Sequence, residues 1–279
     1  MTSELSPLAQ ERLAYRRSRA RRSTLVALAS TVVFAVALVA GVTSTPGWPR
    51  VQATFLDPAI AVSSLPAILA GLWLNIRVLV VTEIGVLALG LLIAMLRTLR
   101  GPVFFPLRAL GTGYVDLFRG MPLLIALYLI GFGVPALRLQ GVPTSAAVLG
   151  TITLILIYSA YVAEVFRAGI ESIHPSQRAA ARSLGLNHRQ SMRLVILPQA
   201  VRRVLPPLLN DFVALQKDVG LISVLGAVDA IRAAQIVSAR TFNFTPYVVA
   251  GLLFVLLAVP TGRIADAVAA RAARRQGST

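Results

Sequence analysis

Apolar residues dominate six stretches of this chain, near residues 25–42, 69–96, 121–137, 142–166, 206–228 and 246–263, and the charged residues gather between them. A helix of about 18 residues covers about 27 Å at 1.5 Å per residue, enough to cross the hydrocarbon core of a bilayer. The pattern therefore predicts an all-α, polytopic membrane protein with about six transmembrane helices. Composition agrees, with 56% hydrophobic residues, 14% charged residues and a mean hydropathy of +0.76.

A net charge of +16 would suit a nucleic-acid partner, but no basic stretch is interleaved with aromatics on a soluble fold. Topology accounts for the charge better. Six spans place both termini on one face of the membrane. That face receives Arg12, Arg16, Arg17, Arg19, Arg21 and Arg22 of the N-terminal segment, then Arg97, Arg100, Arg108 and Arg119. It also receives Arg167, Arg178, Arg182, Arg189, Arg193, Arg202 and Arg203 of a long insert, and Arg263, Arg271, Arg274 and Arg275 at the end. The other face holds Arg50, Arg138, Arg232 and Arg240, with Arg77 near a helix entry. The positive-inside bias makes the termini and the insert cytoplasmic. The basic start before the first apolar run also fits a cleaved signal peptide, but its length and the lack of a small-x-small cleavage site favour an uncleaved span. Residues 43–66, with Pro, Ser and Thr and with Trp48 placed as an interfacial aromatic, read as an outer loop.

The polar insert, over residues 161–198, carries its own helical signals. Pro175 suits the first turn of a helix, where its missing N–H is not needed. SQRAAARSL continues as good helix, Gly185 sits where a left-handed closing residue is wanted, and Asn187 can cap a second helix, HRQSMRLVIL. Ala180, Leu184 and Leu186 form a small apolar face, with Arg178, Arg182 and Arg189 available to acidic partners. Such a hairpin fits two readings, a solvated connector between two spans or a docking element. Glu164 and Arg167, three apart, are placed to pair where the preceding span emerges.

Several words in the sequence carry a family resemblance. The run AAA, then Gly185, then Val195, Ile196, Leu197 and Pro198 is similar to the coupling-loop (EAA-type) signature of bacterial ABC importer permeases. FRGMPLL over 118–124, YVAEVFRAGI over 161–170, SLGL over 183–186, LPQAVRRVLPPLLN over 197–210 and LQKDVGLIS over 215–223 resemble the polar amino acid (His/Glu/Gln/Arg/opine-type) branch. The similarity runs from about Gly71 to Arg263. It implies a type I ABC importer permease core plus one extra N-terminal helix. It also implies that the insert docks into a groove on a cytoplasmic ATPase through Gln177, Ala179, Ala180, Arg182, Leu184, Gly185 and Leu186. Three positions depart from the motif: its Glu is Ala179 here, the Gly before its Gln is Ser176, and its Thr-Ser after Lys-Asp is Val219-Gly220. The first removes a charge that helps to fix the loop.

Ionisable residues within a bilayer cost about 2.5–3.5 kcal/mol each on insertion scales, so each needs a reason. Glu83, with Asn75 and Thr82 on neighbouring turns, fits a pocket wall for a zwitterionic ligand, an interhelical hydrogen bond or a partnership with Arg77. Asp211, Gln216, Lys217 and Asp218 make the fifth span polar. The resemblance places the stretch from Lys217 in the permease core near the translocation path, while Lys217 and Asp218 can equally satisfy each other. Asn75, Glu83, Lys217 and Asp218 are the candidate path residues. By the resemblance, FRGMP at the start of the third span has a structural role near the cytoplasmic gate.

The absence of cysteine excludes disulfides, thiol chemistry and Cys-based metal sites, and two histidines, His174 and His188, make a poor metal site. No GxxxxGK[ST] loop, Ser/His/Asp arrangement or paired-carboxylate site is present. The expectation is a chain with no catalytic site, no metal and no cofactor of its own, with ATP and Mg held by a partner ATPase. The expected organisation is a basic cytoplasmic segment over 1–23, an extra span and outer loop over 24–66, a permease domain over 67–265 with its coupling loop at 167–205, and a basic cytoplasmic tail over 266–279. The expected role is that of a permease subunit in the bacterial cytoplasmic membrane, importing polar amino acids. Its partners are ATPase subunits, an extracytoplasmic substrate-binding protein and a second permease copy or homologue. Two rivals remain at this point: an ion-coupled secondary carrier using Glu83, Asp211 or Asp218, and a membrane scaffold that transports nothing.

Overall fold

The computed structural model describes residues 7–99 and 101–276; the first six residues of the basic N-terminal segment, Arg100 and the last three residues of the tail lie outside the described residues. The chain divides into two compact units, Met1–Thr54 and Phe55–Thr279. The first contains α1 (Pro7–Thr43), whose apolar part Arg22–Thr43 is long enough to span a bilayer, and most of α2 (Trp48–Phe55).

The second unit carries the remaining helices. In order they are α3 (Pro58–Thr98), α4 (Phe105–Gly120), α5 (Leu123–Tyr128), α6 (Val134–Ala136), α7 (Ala146–Glu171), α8 (Pro175–Ser183), α9 (His188–Ser191), α10 (Leu197–Asp218), α11 (Ala230–Thr241) and α12 (Thr245–Gln276). Among the described residues every regular element is helical. Four runs are long and apolar enough to cross a membrane: Arg22–Thr43, Trp48–Thr98, Ala146–Glu171 and Thr245–Arg271. Two bent pairs pass the same test when each is taken as one span. Pro102–Gly120 meets Leu123–Ala136 at 105°, and Arg189–Leu225 meets Ala230–Thr241 at 49°. With each bent pair counted as one span, the six apolar stretches become six candidate spans, two of them broken.

Three boundaries differ from the sequence expectation. The stretch 43–66 is not an extended loop: α2 occupies its middle and α3 begins at Pro58, eight residues before Pro66. Asp57 explains the early start, because its carboxylate accepts from the N–H groups of Ala59 and Ile60 at 2.9 and 3.2 Å. FRG of the FRGMP word ends α4, so the word lies at the bend inside this span, and the helix beyond it begins at Leu123. The second helix of the insert does not stop at Pro198. It passes through a π-helical turn, Met192–Ile196, directly into α10, where Pro206 and Pro207 lie inside the helix.

The core forms where α3 and α7 lie along each other. Val78, Leu79 and Val86 of α3 pack with Leu154, Ile157, Tyr158 and Val162 of α7, joined by Ala126 of α5, Leu215 of α10 and Ile222. A second cluster, Ile68, Leu72, Ala230, Ala233, Ala234 and Ala250, joins α3 to α11 and α12.

The break between α10 and α11 would expose backbone groups to lipid unless protein groups met them. Asn75 meets them. Its Nδ2 donates to the Val219 carbonyl at 3.2 Å and to Asp229 Oδ2 at 3.0 Å, and its Oδ1 accepts from the Ala230 N–H at 3.1 Å. Asp229, itself fully buried, caps α11 by accepting from the Arg232 N–H at 2.8 Å. Asn75→Ala leaves several of these buried groups unpaired, at about 1–3 kcal/mol each. We expect it to destabilise the protein by about 3 kcal/mol, measured as a lower unfolding midpoint in detergent.

Candidate functional site: the polar insert and the bundle end that carries it

The insert is built from short-range backbone chemistry. His174 precedes α8, and its Nδ1 accepts from the Ser176 N–H at 3.2 Å, with Pro175 at the first turn. At the other end of α8, Gly185 adopts φ +78°. Its N–H bonds the Arg182 carbonyl at 2.9 Å, and the Leu186 N–H bonds the Ala181 carbonyl at 3.1 Å. This nested pair is the Schellman closure that a left-handed glycine permits. Two residues later the side chains of Asn187 and Gln190 exchange backbone donors, Gln190 N–H to Asn187 Oδ1 at 2.9 Å and Asn187 N–H to Gln190 Oε1 at 3.0 Å. That reciprocal pair starts α9 as a capping box.

Longer-range contacts fix the hairpin to the bundle. Ile173, Ile196 and Ala200 form a small buried cluster with Ile170 and Met192 against it, and Ala181 turns inward as well. Arg203 Nη1 donates to the Ser172 carbonyl, and Gln199 Nε2 reaches Gln177 Oε1 at 3.4 Å. At the root, Glu164 pairs with Arg167 as its spacing predicts, and also with Arg97 of α3 at 2.7 Å. Arg167 also pairs with Glu171.

Most of the residues that the motif singled out face outward. Gln177, Ala179, Ala180, Arg182 and Gly185 are exposed, Leu184 is 80% exposed, and Leu186 is partly covered. A rigid helix–turn–helix thus presents Ala180 and Leu184 as an uncovered apolar pair beside Arg182, with Arg189 also exposed. No carboxylate occurs between Glu171 and Asp211.

The four candidate path residues do not converge. Asn75 is buried and occupied at the α10–α11 break, as described above. Asp218 accepts from Tyr158 Oη at 2.7 Å, whereas Lys217 is exposed. Among the described residues no ion pair joins Lys217 to Asp218 or Arg77 to Glu83. Glu83 is half-buried on α3. Gln216 accepts from Thr261 Oγ1 of α12 at 2.7 Å.

Sequence reasoning did not assemble a cavity of about 400 Å³ at the end of the bundle that carries the insert. Arg119 from α4, Tyr161 and Glu164 from α7, Ser172 just beyond it, and Arg203 and Asp211 from α10 supply its polar lining. These residues lie up to 92 positions apart, and the packing of α7 against α4 and α10 brings them together. Arg119 lies over the Tyr161 ring, 5.7 Å from its centroid.

Comparison with known proteins agrees with this architecture. The family described as "binding-protein-dependent transport system inner membrane component" matches residues 87–274. The "probable glutamine ABC transporter permease protein GlnM" of Bacillus subtilis (strain 168) is 38% identical over 184 residues, 65% of this chain and 82% of that protein. The "arginine transport system permease protein ArtQ" of the same organism is 32% identical over 203 residues, 72% of this chain and 90% of that protein. A solved structure titled "Crystal structure of an amino acid ABC transporter with histidines" superposes with a TM-score of 0.70 at 31% identity, covering 77% of this chain and 99% of that one. These matches set aside the ion-coupled carrier. A bundle with two broken spans, an outward-facing coupling-type hairpin and these relatives leads to one assignment: the chain belongs to the family of binding-protein-dependent transport system inner membrane components, as a permease of the ABC importer type.

Proposed function

We propose that this chain is the transmembrane permease of an ATP-driven importer of polar amino acids, and that its insert is the element through which a cytoplasmic ATPase moves it. The single observation that carries the coupling role is the construction of the hairpin. A Schellman closure, a capping box and a buried apolar base hold it rigid, while Ala180, Arg182 and Leu184 face outward. Packed helices move as rigid bodies, so a pull at Leu184 is transmitted into α7 and α10 instead of being absorbed locally. In this reading the insert and both termini are cytoplasmic, residues 67–265 form the permease domain, and the first span is separate from it. ATP and Mg are held by the ATPase, a substrate-binding protein delivers the amino acid at the opposite face, and a second permease completes the path. Amino acids are the proposed cargo because the relatives' names refer to glutamine, arginine and amino acid transport.

The test is reconstitution of this chain with its ATPase, its partner permease and the binding protein in proteoliposomes. ATP-dependent accumulation of labelled glutamine or arginine is the expected result; accumulation that ignores ATP contradicts it. Leu184→Glu places a carboxylate on the outward face without disturbing the turn. We expect at least tenfold weaker ATPase association, about 1.4 kcal/mol, read by titration in detergent.

A further inference from the structure

The insert carries charge of one sign. Residues 172–210 contain Arg178, Arg182, Arg189, Arg193, Arg202 and Arg203, with no Lys, Asp or Glu among them. Arg203 is engaged by the Ser172 carbonyl. Arg182, Arg189, Arg193 and Arg202 are exposed, and among the described residues none of these four joins an ion pair. Glu171, the last carboxylate before them, is taken by Arg167. The positive-inside bias asks only that cations lie on this face of the membrane, not where in the hairpin they stand. Arg189 stands where its own helix disfavours it. It lies in the first turn of the helix that opens at α9 and runs through the π-helical turn into α10. That end is the positive pole of the helix macrodipole, so a cation there is unfavourable. Arg182, in the last turn of α8, sits at a negative pole and is accounted for locally. Arg189 is not.

The surroundings of Arg189 point to a partner. Arg182 and Arg189 flank in sequence the Gly185 turn and Leu184, which is 80% exposed. A groove that takes up Leu184 also covers the turn on both sides, and a covered cation needs an opposite charge with matching hydrogen-bond geometry. A carboxylate supplies both, because its two oxygens accept the planar guanidinium fork. The Schellman closure and the capping box hold the turn at a fixed spacing, which suits a preorganised protein groove and which a fluid layer of lipid headgroups does not require.

We propose that the insert selects its ATPase by charge: the groove that receives Leu184 is acidic, with a carboxylate against Arg189. The proposal rests on the coupling reading above and adds to it the chemistry of the partner's surface. Complementary charge speeds encounter and rejects wrong partners, so an ATPase whose groove is neutral or basic is excluded.

The experiment titrates the ATPase onto the purified full-length chain in an uncharged, lipid-free detergent, where no anionic headgroup is present. KCl is raised from about 0.1 M to about 1 M, which shortens the screening length from about 10 Å to about 3 Å. Association at least tenfold weaker at the higher salt is expected. Arg189→Gln should weaken association at least tenfold at the lower salt and flatten the salt dependence. Its unfolding midpoint should equal or exceed that of the unaltered chain, because a cation leaves the helix N-terminus. A merely structural arginine would instead lower the midpoint and leave the salt dependence as it was. Arg189→Lys gives a second readout. A carbodiimide joins an amine to a carboxylate as an amide and takes up the water released, and Lys217 in the bundle is the chain's only lysine. A product linking chain and ATPase at position 189 is expected. Salt-independent association, unchanged affinity in folded Arg189→Gln, or a complex of Arg189→Lys that gives no product at position 189 would each overturn the acidic groove. An Arg189 effect seen only in nanodiscs containing phosphatidylglycerol assigns the charge to lipid and overturns it as well. Dependence of the complex on residues 176–189 is measured separately. Where that dependence holds but association ignores salt, the coupling reading stands and the acidic groove falls; no complex at any salt concentration fails the coupling reading itself.

Discussion

Gly185→Pro abolishes ATP-driven uptake while leaving the chain inserted and folded. The residue adopts φ +78°, and its N–H closes α8 on the Arg182 carbonyl. Proline is fixed near φ −65° and has no N–H, so both features are lost at once. A Cβ at this position meets nothing within 4 Å, which removes packing as an alternative cause. The damage is confined to the direction in which the chain leaves α8, and hence to where Leu184 and Leu186 are held. Uptake should fall to background, more than a hundredfold, with ATPase activity uncoupled from substrate. Elution volume and unfolding midpoint in detergent should stay near those of the unaltered chain. Transport at the normal rate by this variant would contradict the role of the insert.

Gly71→Val should have the opposite profile: loss of the fold, with transport lost only as a consequence. Gly71 lies on α3 against the start of α11, where an added Cβ would sit 2.3 Å from the Asp229 carbonyl carbon and 2.5 Å from the Ala230 nitrogen. Those atoms are backbone and cannot rotate away. Small residues let helices approach closely in membranes, and α3 must approach closely here for Asn75, one turn further along, to reach Asp229 and Ala230. Overpacking costs about 1–3 kcal/mol even where side chains can adjust, and the Asn75 bonds are lost in addition. We expect little monodisperse protein from detergent extraction of Gly71→Val, and no recovery with Gly71→Ala, because the Cβ alone makes the clash.

Most of the insert was legible in the sequence because its determinants are local. Pro175, Gly185 and Asn187 each act on backbone groups within a few residues, and the structure places all three in the predicted roles. The Glu164–Arg167 pair was legible for the same reason, whereas Arg97, 67 positions away, was not. The six spans followed from hydropathy. Their breaks did not, because the bend after Gly120 and the break between α10 and α11 have no periodic signature. Asn75 shows the limit most clearly. Its polarity within a span flagged it as a path residue, yet its partners Asp229 and Ala230 lie 154 and 155 positions away. The cavity was illegible for a similar reason, since Arg119 and Asp211 belong to different helices and neither position carries a motif that joins them.

The most direct test of the central claim is co-elution of this chain with its ATPase, for the intact protein and for a variant in which residues 176–189 are replaced by a short Gly-Ser linker. The account predicts a stable complex for the intact chain and none for the variant, with the variant still monodisperse and helical. A complex that survives removal of the hairpin would contradict it.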